Sequence, residues 1–325
     1  MATIAVVVGV IVNTAGEILL AKRAVHQHQG GLWEFPGGKL EANESARAGL
    51  WRELHEELGI SLLKAEPLIQ IYHEYPDKAV LLDVFCVTQY EGTPDGKEGQ
   101  PLAWVKPAEL CNYPLPAANR PIVQALTLPK NLCISGEAAT PEHWLERFKN
   151  CLAAEVNLVI ARPCNAMQII WPWRDLLSDA LSLCPTHNCR LLVHSSLLPQ
   201  LTHSAQPAVA AEAISTYAHG IHLSAAAAAH WSQPLANGLL LGMSCHNAQE
   251  LAQAAALNCN YSLLSPVLPT QSHPGAKTLG WSEFAELCRG AQLPVFALGG
   301  VNAAHTNLSC QLGGQGVAGI RGFWL

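Results

Sequence analysis

Charge and aromatic side chains are both scarce in this chain. Charged residues make up 14% and aromatic residues 6% of its 325 positions, and the net charge is −6. A chain without basic stripes is not a general binder of nucleic-acid polymers. A single nucleotide is not excluded, because a metal ion can neutralise its phosphates. No CxxC pair occurs among the eleven cysteines. An odd count without a compact framework reads as reduced thiols of the cytosol, not disulfides. No apolar run is long enough to span a membrane. The apolar start, Met1–Val12, lacks a basic leader and runs into the turn "NTAGE", so it reads as a buried first strand and not as a signal peptide. The expected compartment is the cytoplasm.

What the chain has is apolar bulk, 50% of its residues, and enough length for two domains. Its charges are uneven: 26 of the 44 fall in residues 1–130. The composition shifts at "LTLPKNLC", where Pro129 follows a short apolar helix around Ile122–Leu126. The expected domains are therefore 1–129 and 130–325.

In the first domain, Thr3–Val12 and Ile18–Arg23 read as strands joined by a turn at Asn13–Gly16. From Ser45 the period becomes helical, with Ala46, Leu50, Leu54 and Leu58 on one stripe and Gly59 as a stop. Asn43 and Ser45 are candidate N-caps, with Glu44 expected in the first turn. Glu53, Glu56 and Glu57 lie off the apolar stripe. Like charges at this spacing repel, so the group is either a solvated face or a cation site. "LIQIYHEYP", "AVLLDVFCVTQYEG" and "LAWVKP" read as further strands.

Residues 38–60 fit the pattern G-x5-E-x7-R-E-U-x-E-E-x-G-U at Gly38, Glu44, Arg52, Glu53, Leu54, Glu56, Glu57, Gly59 and Ile60. This resembles the Nudix box, and the chain from 1 to about 128 resembles the MutT branch of 8-oxo-dGTP pyrophosphohydrolases. The segments that carry the likeness are "AKRAVHQHQGGLWEFPGGKLE", "YHEYPDKAVLLDVFCVTQYEGTPDGKEGQPLAWV" and "YPLPAANRPIV". The resemblance implies an α/β/α sandwich with a mixed sheet and a Mg²⁺-dependent hydrolase, with Mn²⁺ as a substitute. Its metal ligands would be Gly37, Glu53, Glu56, Glu57 and Glu98. Glu53, Glu57, Glu98 and Arg52 would be catalytic, with Arg52 orienting a glutamate. Arg23, Phe35, Gly38, Asp77 and Asn119 would bind substrate, Asn119 at the oxidised base. Blander roles compete: Asn119 as a helix cap, Phe35 as a core aromatic, Arg23 as a strand-edge charge, and Glu98 and Asp77 as solvated turn carboxylates.

From Lys130, eight short apolar strands alternate with Ala-rich helical stretches, the pattern of a (β/α)8 barrel of the TIM type. "GIHLS", "GMSCHN", "PVLPTQSHPGA" and "ALGGVN" resemble thiamine phosphate synthase and its TenI-like relatives. That likeness implies ligand loops at Arg162, Ser244, Thr270, Ser272, Gly299 and Gly300, and a thiamine-related phosphate as ligand. His222, His246 and His273 are read as loop histidines. The departures are specific. Cys164 stands where that family has a lysine, His194-Ser195 where it has Asn-Asp, and "HLSAAAAAH" lacks its next aspartate. The barrel is therefore expected to be catalytically degenerate.

The combined expectation is hydrolysis of 8-oxo-dGTP to 8-oxo-dGMP and diphosphate, protecting DNA replication by clearing the nucleotide pool. The alternatives are hydrolysis of thiamine-related diphosphates, or a hydrolase regulated by a small-molecule-binding barrel. The full-length chain, incubated with Mg²⁺, pyrimidine diphosphate and thiazole phosphate, is expected to form no thiamine phosphate. Detection of that product by chromatography would overturn the degenerate reading.

Overall fold

The computed structural model of the chain describes residues 3–25, 29–202, 213–232, 235, 238–270, 275 and 277–325. One compact unit holds Met1–Thr127 with the short stretch Cys288–Gln292, and the other holds Leu128–Leu287 and Leu293–Leu325. Among the described residues no disulfide joins the cysteines. No described helix is long and apolar enough to cross a membrane.

The first unit is built on β1 (Thr3–Ile11), whose apolar run lets both of its faces be buried. β1 pairs antiparallel with β4 (Gly37–Lys39) and parallel with β6 (Ala79–Glu91). β6 in turn pairs antiparallel with β5 (Ser61–Glu74), completing a mixed sheet of order β4-β1-β6-β5. A second, antiparallel sheet sets β2 (Ile18–Lys22) between β3 (Trp33–Glu34) and β7 (Leu102–Val105).

Alternation along β1 feeds two cores. Val7 and Ile11 join Leu50, Leu54 and Leu58 of α1 (Ala46–Leu58). Val8 and Val10 join Phe35, Ile69, Ile71 and Ile122, the last from α2 (Arg120–Thr127). A mixed sheet with helices on both faces follows, as expected for the N-terminal part.

α1 begins where its sequence says it should, with one difference. Ser45 is the N-cap, its hydroxyl accepting the Ala48 N–H at 3.3 Å. Asn43 turns the chain at φ 64° instead of capping, and Glu44 precedes the helix rather than joining its first turn. The reason is the cap itself: with Ser45 as N-cap, Glu44 is the residue before it, and its carboxylate accepts from Arg52 instead. Gly59 closes the helix at φ 68°, as expected of a left-handed stop.

In the second unit all eight expected strands form a closed parallel barrel: β8 (Asn131–Ile134), β9 (Leu158–Ala161), β10 (Arg190–His194), β11 (Gly220–Leu223), β12 (Leu240–Cys245), β13 (Tyr261–Leu264), β14 (Val295–Leu298) and β15 (Gly316–Gly319). β15 pairs with β8 to close it. Leu132, Ile134, Leu158, Ile160, Leu192, Leu263, Phe296 and Ala318 pack together with Tyr261 as one cluster. Neighbouring strands accommodate large residues beside glycine: a Cβ on Gly242 would lie 2.2 Å from the Tyr261 ring. The Ala-rich stretches are helices, Ala225–Ala228 and Ala248–Ala256.

Leu54 is fully buried under β1, where Gly9 leaves it room: a Cβ on Gly9 would stand 2.9 Å from the Leu54 Cδ1. Leu54→Ala is expected to destabilise the first unit by about 2–5 kcal/mol, seen as a lower urea midpoint. An unchanged midpoint would mean that the helix does not depend on this contact.

Candidate active site

The site is assembled at the junction of β4, α1 and two loops. Two glycines permit it. A Cβ on Gly37 (φ 145°) would sit 2.1 Å from the Val7 carbonyl oxygen, and one on Gly38 would sit 2.2 Å from the Glu53 carboxyl carbon. Only a bare backbone lets β4 run this close to α1.

Arg52 organises the acidic side of the helix. Its Nε and Nη2 donate to the two oxygens of Glu44 at 3.0 and 2.9 Å. Nη1 donates to Glu53 at 2.9 Å and to Glu56 at 3.3 Å, and Nη2 also reaches the Lys39 carbonyl at 3.1 Å. The Arg52 hydrogen bonds hold the Glu44 carboxyl below the usual carboxylate range, with help from the Glu41 N–H. The same carboxylates raise the guanidinium's own pKa.

Glu57 is in the opposite situation. Its Oε2 accepts the Gly37 N–H at 3.2 Å, but burial pushes its carboxyl up to about 8. The charges of Glu34, Glu53 and Glu98 push in the same direction. Glu98 reaches this neighbourhood because its loop is tied to the end of α1: Lys97 N–H donates to the Glu57 carbonyl at 2.9 Å and Asp95 N–H to the Leu58 carbonyl at 3.0 Å. Glu57 and Glu98 line a cavity of about 300 Å³ together with Lys22, Arg23 and Glu34.

Sequence reasoning passed over Glu34. It forms an ion pair with Arg23, yet burial outweighs the arginine and raises its pKa. Tyr75 was missed as well. Its phenol is raised chiefly by burial, is hydrogen-bonded by the Ala118 backbone, and feels Arg23, Glu34 and Asp77. Neither lies in the 38–60 pattern. The one signal for Glu34 was its place inside "WEFPGG".

The remaining first-unit candidates fall in different settings. Asn119 is 8% exposed, and its Oδ1 is buried without a hydrogen-bond partner. That oxygen therefore caps no helix, and the capping alternative falls. Phe35 is 3% exposed and belongs to the hydrophobic core, with only its neighbours Glu34 and Pro36 on the cavity wall. Asp77 is exposed on the bend between β5 and β6.

The donor set fits a hard divalent cation: oxygen ligands, and a carboxyl, Glu57, that burial first and neighbouring carboxylates second drive toward protonation unless a cation offsets them. Among the described residues, no three His, Cys, Asp or Glu side chains close into a ready-made cage. Mg²⁺ does not require one, since it keeps waters and takes substrate phosphates as ligands.

In the barrel, consecutive strands bring polar groups together, from the buried start of β13 to the C-terminal end of β10. Ser244 Oγ and His222 Nε2 are 2.9 Å apart, and His222 Nδ1 lies 3.1 Å from the Tyr261 hydroxyl. The His194 ring is 6.1 Å from that of His222. Burial lowers both imidazoles, His194 to about 4, and the Arg162 charge acts in the same direction. Arg162 is anchored through its backbone to Ser135, while its Nε is buried without a partner. His246 is held by Glu250 at 2.8 Å. Gly299 and Gly300 adopt φ 91° and 67° and pack against Pro266 and Pro269. Thr270 follows Pro269 in the loop after β13. Ser272 and His273 lie outside the described residues.

Fold and site together define a carboxylate-lined α/β hydrolase domain joined to a closed (β/α)8 barrel. The model of the NUDIX domain matches residues 7–125, and that of thiamine monophosphate synthase matches residues 132–323. A CTP pyrophosphohydrolase of Escherichia coli (strain K12) is 41% identical over 119 residues, 37% of this chain and 88% of that protein. An 8-oxo-dGTP diphosphatase of the same organism is 36% identical over 126 residues, 39% of this chain and 98% of that protein. A putative thiamine-phosphate synthase 2 of Aquifex aeolicus (strain VF5) is 31% identical over 84 residues, 26% of this chain and 45% of that protein. The chain belongs to the Nudix hydrolase superfamily through its N-terminal domain and to the thiamine monophosphate synthase family through its C-terminal one. Nudix chemistry is phosphoanhydride hydrolysis with divalent metal cofactors.

Glu57 binds its proton more tightly folded than unfolded, so its charge opposes folding increasingly as pH rises from about 4.5 to about 8. Glu57→Gln removes that opposition. In metal-free buffer the variant is expected to melt with the wild type below about pH 4.5 and above it at pH 8. Melting curves that stay parallel across this range would refute the placement of a buried, repelled carboxyl.

Proposed function

We propose that residues 1–129 form a pyrophosphohydrolase acting on 8-oxo-dGTP, giving 8-oxo-dGMP and diphosphate, and that residues 130–325 form a barrel without synthase turnover. The observation that carries the substrate is Asn119: a buried carboxamide oxygen with no partner. Guanine presents an acceptor at N7, whereas its 8-oxo form presents an N–H donor there. A fixed acceptor therefore pairs with the oxidised base and is left unpaired by guanine, the condition under which a site discriminates strongly. The 36% identity to an 8-oxo-dGTP diphosphatase over nearly its whole length supports the same reading.

Mg²⁺, held by Glu53, Glu56, Glu57, Glu98 and the Gly37 backbone, would neutralise polyphosphate charge and make a bound water more acidic. Arg23, fixed by Glu34 at the cavity wall, meets the phosphates. Arg52 holds Glu53 and Glu56 in place from behind. Glu98 takes the proton of the water that attacks the β-phosphorus, and the bond from that phosphorus to the α-phosphate oxygen breaks. Asp77, as the MutT likeness implies, would bind the base side of the substrate. The cytoplasm, with its free nucleotides and reduced thiols, is the fitting compartment.

A second reading, hydrolysis of CTP, is favoured by the 41% identity to the CTP pyrophosphohydrolase. Steady-state kcat/KM for 8-oxo-dGTP, dGTP, CTP and thiamine diphosphate separates them. The expected result is a preference of about 10²-fold or more for 8-oxo-dGTP over dGTP, collapsing toward one in Asn119→Ala. A ratio near one in the wild type with fast CTP turnover would establish the second reading instead.

A further inference from the structure

The loop that carries Glu98 is held to α1 by one side chain with no role assigned so far. Gln100 Nε2 donates to the Glu57 carbonyl at 3.1 Å, and Gln100 Oε1 accepts the Glu98 N–H at 2.9 Å. A single carboxamide thus joins the backbones of two residues whose carboxylates face one cavity. The Glu57 carbonyl, left open at the helix end, takes Lys97 N–H at 2.9 Å on its other lone pair. The loop is folded tightly around this link. Gly99 N–H donates to the Gly96 carbonyl at 2.9 Å, and a Cβ on Gly96 would stand 2.2 Å from the Gln100 carbonyl oxygen.

We propose that Gln100 is a positioning residue for the hydrolysis, its side chain fixing the Glu98 loop against the end of α1 and so setting where the Glu98 carboxylate stands relative to Glu57. The chemistry requires an amide of this length. Glutamate has no donor for the Glu57 carbonyl, and asparagine is one methylene too short to span both partners. The proposal rests on the reading that Glu98 takes part in the reaction. A misplacement of about 1 Å in such a group costs on the order of 10²-fold in rate.

The test is a double-mutant cycle in the full-length protein with Gln100→Ala, Glu98→Gln and both together, alongside amide hydrogen exchange without metal or substrate. Gln100→Ala is expected to lower kcat for 8-oxo-dGTP about 10- to 100-fold with KM little changed. It should lower it no further in the Glu98→Gln background, because the two changes remove the same contribution. The Glu98 amide should exchange faster in Gln100→Ala. Equal losses in both backgrounds, or an unaltered kcat, would overturn the proposal. A Glu98→Gln variant as fast as the wild type would refute the functional reading of Glu98 instead. In that case the Glu98 amide still decides the clamp: unchanged protection in Gln100→Ala removes it.

Discussion

The burial of Glu57 beside Glu34, Glu53 and Glu98 is the constraint around which the N-terminal site is organised. Burial and three neighbouring carboxylates push Glu57 up to about 8, so the arrangement is unfavourable taken alone. It persists because each member is held by something else. Arg52 grips Glu53, Arg23 pairs with Glu34, the Gly37 N–H reaches Glu57, and backbone hydrogen bonds seat the loop of Glu98. A divalent cation bound there would relieve the remaining repulsion, and acid clustering that costs folding free energy is a mark of functional sites. The hydrophobic side of α1 bears the strain: Leu50, Leu54 and Leu58 fix the helix so that its acidic edge cannot move off.

The barrel shows the same separation of support from chemistry with different content. Its interior is a cluster of aliphatic and aromatic side chains. At the strand ends, Arg162, His194, His222 and Ser244 replace this with polar groups, in the part of such a barrel where sites are built. Two imidazoles kept neutral by burial and by a neighbouring arginine are poor partners for a Mg²⁺–diphosphate, which calls for carboxylates. Membership in the synthase family establishes the fold, and a fold does not by itself establish the use made of it.

Elements with strong periodicity are legible in the sequence alone. The four-residue spacing of Ala46, Leu50, Leu54 and Leu58 specifies α1, and eight short apolar runs specify the eight barrel strands. Single residues in loops are not legible in this way. Glu44 looks like a first-turn acid, yet it sits outside the helix, bound by Arg52. Phe35 could line a pocket or fill a core, and periodicity cannot distinguish the two; the core takes it. Asn119 suits both a cap and a base contact, and its buried, unpaired oxygen removes the cap.

By itself the sequence determined the two families, the barrel, and the helix on which three glutamates and an arginine are spaced. The barrel and the helix are periodic and follow from spacing along one chain segment, while the families rest on the resemblance of quoted segments to known ones. Only the tertiary structure decided that Glu34 lines the cavity with Glu57 and Glu98, that Glu57 rather than Glu44 carries the raised pKa, and that Gln100 ties Glu98 to the helix end. Each depends on burial and on contacts between segments up to 43 residues apart, as between Gln100 and Glu57. Burial and long-range proximity are set by packing, and no local pattern of residues encodes them.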